Sequence, residues 1–108
     1  MTLSIKTAED KKAELEAQAK IELKAAKGLA LNLITVEVNG NSFDGNETAR
    51  GNMSSAILSA EIIGKTEDTW KLADNTSAVI TITELKEALA LSIQEVGRIV
   101  KAKSKEEL

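Results

Sequence analysis

The chain has 108 residues, 14 basic against 17 acidic side chains and a formal net charge of -3, which is one domain's worth of chain with both signs interspersed. That balance disfavours nucleic acid, whose binding rests on clustered Lys and Arg against phosphates, and the absence of cysteine excludes disulfides, a thiolate nucleophile and a zinc-cysteine cluster. Trp70 and Phe43 are the only aromatic residues, so the core must be built mainly from Ala, Leu, Ile and Val.

The N-terminal residues lack an apolar leader-like stretch. The longest aliphatic run, Leu29 to Ile34, is far below a membrane span. The chain is expected to stay soluble where it is made, with no membrane and no nucleic acid among its partners, and the lack of cysteine is compatible with a reducing cytoplasm.

In chain order, Thr7-Ala8-Glu9-Asp10 resembles a capping box and predicts a helix running to about Leu31. Apolar residues there fall largely at alternate positions, from Ala13 to Leu23, which is a strand period. The abundance of Ala, Glu, Lys and Leu decides for helix. Its stripe of Leu15, Ala19, Leu23, Ala26 and Ala30 is narrow and suited to a neighbouring helix or a second copy.

Ile34 to Val38 alternates β-branched residues and runs into Asn39-Gly40, a strong hairpin signal that places Val36 opposite Phe43. Asp44, three residues before Glu47, is read as the cap of a second helix ending at Gly64. Ala49, Met53, Ala56, Ile57 and Ala60 share one of its faces.

Thr69–Ala73 and Ala78–Ile82 predict a second hairpin turning at Asp74-Asn75, residues that bond their own backbone and tolerate positive φ. Thr83 is read as the cap of a third helix with Leu85, Leu89, Ser92, Val96 and Ile99 on its buried stripe. Gly97 inside it implies either fraying or a close contact. The result is an α+β fold: a long N-terminal helix, hairpin, helix, hairpin and C-terminal helix, with a small antiparallel sheet packed on helices. Residues 1–33 form a helical arm for a partner or for oligomerisation, and 34–108 an α+β domain.

Catalytic chemistry finds little support. Histidine, the commonest base and metal ligand near neutral pH, is absent. The pairs Glu14/Glu16, Glu61/Glu67 and Glu84/Glu87 sit among lysines and read as solvated helix faces, while Asp44-Gly45-Asn46-Glu47 lacks calcium-loop spacing. Neither cofactor nor metal is expected. Trp70 reads as a core anchor, and Arg50 as a partner for Asp74 or as cover for apolar surface.

The series from Val36 through Asn39-Gly40 and Phe43, then Glu47 and Arg50, then Trp70 with Asp74-Asn75, then Ile82-Thr83-Glu84-Leu85 resembles a domain of unknown function recurring in tailed-phage tail-fibre assembly proteins. The resemblance runs from about Ile34 to Lys105 and makes Gly40, Phe43, Glu47, Arg50, Trp70, Asp74 and Asn75 its signature positions. It implies a chaperone acting in the host cytoplasm on the C-terminal receptor-binding tip of a fibre, helping it to fold and trimerise, and in some cases staying on the virion. Leu15 and Leu23 are added as partner-binding candidates from the helical stripe. The alternative is a virion structural component or self-associating adaptor, a homo-oligomer joined through the first helix.

Overall fold

The computed structural model describes residues 8–108. Helix α1 spans Ala8–Asn32, strands β1 and β2 span Thr35–Val38 and Asn41–Asp44, and helix α2 spans Glu47–Ile63. Strands β3 (Glu67–Lys71) and β4 (Ser77–Thr81) precede helix α3 (Ile82–Lys101) and a short 3-10 turn at Lys105–Glu107. The fold is α+β, with the elements in the expected order. The Thr7 cap of the first helix lies outside the described residues.

The first hairpin turns where the sequence asks it to: Asn39 and Gly40 take φ of 55° and 82°, and Val36 lies opposite Phe43. Its ladder runs one step past β2, through the Gly45 amide to the Ile34 carbonyl at 2.8 Å. Asp44 is therefore still strand. The cap of α2 is Asn46, whose side chain accepts from the Ala49 amide at 2.9 Å, correcting the assignment to Asp44. At the other end Gly64, with φ of 74°, closes α2 in the left-handed conformation.

The second hairpin begins earlier than predicted. Glu67 and Asp68 pair with Thr81 and Ile80, while Ala73 has left the ladder. α3 also starts earlier, because the Ile82 amide makes the last hairpin bond, to the Thr66 carbonyl at 2.9 Å, and then enters the helix. The cap is Thr81 rather than Thr83. Thr81 and Glu84 form a full capping box, with the Glu84 amide donating to Thr81 Oγ1 at 3.1 Å and the Thr81 amide to Glu84 Oε1 at 3.3 Å.

The hairpins remain two separate two-stranded ladders. A single backbone bond outside the ladders, from the Ala73 amide to the Ser42 carbonyl at 2.9 Å, ties them together. One core serves both: Val38 and Phe43 from the first hairpin meet Met53 of α2, Leu72 and Ile80 of the second hairpin, and Leu85 and Ala88 of α3. Phe43 is wholly buried, and a fully buried aromatic of this size contributes on the order of 3 kcal/mol.

α3 carries the strongest amphipathic pattern, burying Leu85, Ser92 and Ile99 of the expected stripe and Ile82 and Ala88 besides, while Leu89 and Val96 of that stripe are only half-buried. Ser92 satisfies its buried hydroxyl by donating to the Ala88 carbonyl at 2.8 Å. Gly97 neither frays the helix, which continues to Lys101, nor accommodates a close contact, since nothing lies within 4 Å of where its Cβ would be.

α1 buries no residue. Its Leu23, Ala26, Ala30 and Leu31 are half-covered, and its C-terminal half is fixed by Lys27 Nζ on the Val100 carbonyl at 2.9 Å and by Lys105 Nζ on Glu22 Oε2 at 3.0 Å. Ala8 to Lys20 are exposed throughout, so that half of the helix projects past the end of α3. The molecule measures 76 × 25 × 21 Å.

Candidate functional site

Between α2 and the two hairpins lies an open groove of about 490 Å³. α2 supplies Ala49, Asn52 and Ser55, three residues apart and hence on one side of the helix. Asp44 comes from the end of β2, Trp70 and Lys71 from β3, and Asn75 from the following turn. Trp70 is half-buried: part of its indole packs on the core and part lines the groove.

The polar side chains around this indole are unengaged. Asp44, Asn52, Ser55, Lys71 and Asn75 make no side-chain hydrogen bond or ion pair with any described residue. Other surface groups do bond within the fold. Asp74 accepts from the Thr76 hydroxyl at 2.6 Å and from the Thr76 amide at 3.0 Å, which holds its carboxyl below the ordinary range and braces the turn that presents Asn75 at φ of 68°. The groove thus offers an aromatic surface, two amides that both donate and accept, one hydroxyl, one carboxylate and one ammonium.

The residues singled out in the sequence divide clearly. Trp70 and Asn75 line the groove, and Asp74 shapes its rim. Phe43 lies in the core and Gly40 in the far turn of the first hairpin. Glu47 is exposed in the first turn of α2, where a carboxylate suits the positive helix end. Arg50 does not pair with Asp74; its Nη1 donates to the Gly45 carbonyl at 2.7 Å and locks the hairpin-to-helix junction. Leu15, 71% exposed, and half-buried Leu23 belong to α1 and do not line the groove.

Asn52, Ser55, Lys71 and the groove role of Asp44 were missed in the sequence. Asn52 and Ser55 carried a faint signal as polar residues flanking the small-residue face of α2. Lys71 carried none, being one lysine among many. The described residues hold no group of three or more metal-capable side chains. Among them no helix is long and apolar enough to cross a membrane.

Comparison with known families finds a match over residues 6–103 to DUF4376, a domain of unknown function. The chain belongs to the DUF4376 family. The match takes in α1 as well as both hairpins, α2 and α3, so the DUF4376 domain here includes the projecting helix. No curated protein and no solved structure matches the chain.

Proposed function

We propose that this DUF4376 protein is a tail-fibre assembly chaperone of a tailed phage. It binds the C-terminal, receptor-binding tip of a fibre in the host cytoplasm and aids its folding and trimerisation without itself catalysing a reaction. The observation that carries the reading is the groove, where the signature positions Trp70 and Asn75 meet beside side chains with no other partner. The fibre-assembly association itself comes from the resemblance of the Gly40–Phe43, Glu47–Arg50 and Trp70–Asn75 series.

The physics suits the role. Trimeric β-rich tips assemble slowly and expose unpaired strand edges and apolar surface on the way, and a binding protein that covers them suppresses misassembly. A half-exposed indole surrounded by amides provides both an apolar anchor and hydrogen bonds for such surface.

Co-expression with a tail-fibre protein from the same genome tests this directly, with soluble trimer as the readout. Trimer yield is expected to rise with the chaperone present and to fall back to the unassisted level with Asn52→Arg, which fills the groove from an exposed position. Equal yield with and without the wild-type protein rejects the reading.

A further inference from the structure

The hydrogen-bond phase of each hairpin fixes which backbone groups face outward. In the first hairpin, the Gly45 amide bonds the Ile34 carbonyl, and alternation along the antiparallel ladder makes Val36/Phe43 and Val38/Asn41 the bonded pairs. Ser42 and Asp44 therefore turn their amides and carbonyls to the outer edge of β2. In the second hairpin, the Leu72 amide bonds the Thr76 carbonyl and the Ile82 amide the Thr66 carbonyl, which makes Trp70/Ala78 and Asp68/Ile80 the bonded pairs. Thr69 and Lys71 then face the outer edge of β3.

These two outer edges meet once. The Ala73 amide reaches the Ser42 carbonyl, and beyond that contact no ladder forms between the hairpins. Asp44 and Lys71 both line the groove, and neither has a backbone bond outside its own hairpin. One position is already closed: the Thr69 amide donates to Asp68 Oδ1 at 2.8 Å, so β3 is blocked at Thr69 and open at Lys71.

We infer that the groove takes a polypeptide segment in extended conformation, which adds to the open strand edges at Lys71 and Asp44 and seats one apolar side chain on Trp70. An extended chain is the occupant that supplies alternating amides and carbonyls to match those edges, and the Asn52 and Asn75 amides can each satisfy one further donor and acceptor of its backbone. Asp44 and Lys71 oppose one another in charge, so the segment is electrically neutral where it crosses the groove. The inference deepens the chaperone reading by naming what the site holds, and it stands on backbone geometry that the chaperone reading does not use.

The test uses the full chain with two sets of probes: synthetic peptides tiling the tip of a tail-fibre protein from the same genome, and a random displayed peptide library. Amide exchange by NMR is read with and without each binder. A binder should slow exchange of the Lys71 and Asp44 amides at least tenfold while leaving Thr69 unchanged. Lys71→Pro removes an outward amide that the ladder does not use, and should weaken binding at least tenfold, whereas Lys71→Ala should retain it. A random-library binder that protects Lys71 and Asp44, with no fibre tile doing so, keeps this inference and rejects the chaperone reading. Peptides that bind without protecting Lys71 and Asp44, or the absence of any binder from both sets, overturns the inference.

Discussion

Gly45 is the residue with the least room. Its backbone passes so close to α3 that a Cβ there would stand 2.5 Å from Ser92 Oγ and 2.6 Å from Ile34 Cγ2. Its amide and carbonyl are both committed, to Ile34 and to Arg50. Gly45→Ala should destabilise the fold by about 1–3 kcal/mol, the range for forced overpacking. Combining it with Ser92→Ala should recover part of that loss, because one of the two clashing atoms goes; denaturant titration of the two single variants and the double variant measures the coupling. Nothing in the run Asp44-Gly45-Asn46-Glu47 marks Gly45 out. Close approach between a strand end and a helix is set by tertiary packing and leaves no trace in local composition.

At the scale of elements, local chemistry was legible and boundaries were less so. Asn39-Gly40 demanded its turn, the spacing of Leu85, Ser92 and Ile99 demanded a buried stripe, and both features stand. The caps differ from the expected ones for opposite reasons. The first ladder runs on through Gly45 and delays α2 to an Asn46 cap, whereas Ile82 makes the last bond of the second ladder as the first residue of α3, so that helix opens at once from a Thr81 cap. A polar residue near a helix start reveals neither. The groove was half legible: Trp70 and Asn75 stood out by type, while Asn52 and Lys71 acquire meaning only when α2 and β3 are brought together. Gly97 gives a clean prediction on this scale. With open space around its missing side chain, Gly97→Ala should stabilise α3 by about 1 kcal/mol, seen as a higher thermal midpoint.

For the molecule as a whole, the seam between α1 and the body is the weakest join. It rests on half-covered aliphatic residues, the Lys27 contact and the Glu22–Lys105 pair. The Lys105 ammonium, followed by the Gln18 amide, holds the Glu22 carboxyl below its ordinary value. Since the folded value lies below the unfolded one, this attachment is at full strength near neutral pH and fades as the pH falls through and below the usual carboxylate range near 4. Protection of the α1 amides, taken as exchange relative to the intrinsic rate at each pH, should therefore fall between about pH 5 and pH 3 before that of the core strands does. Lys105→Met should bring the same loosening at neutral pH.

The rod-like outline imposed by α1 also governs how the protein behaves in a separation. The projecting half of α1, Ala8 to Lys20, adds about 20 Å of length with little mass, so the particle drags like a larger one. A lone copy should emerge early from a sizing column and mimic a dimer. Light scattering, which weighs the particle regardless of its outline, gives the true stoichiometry of the free protein and of any assembly it forms.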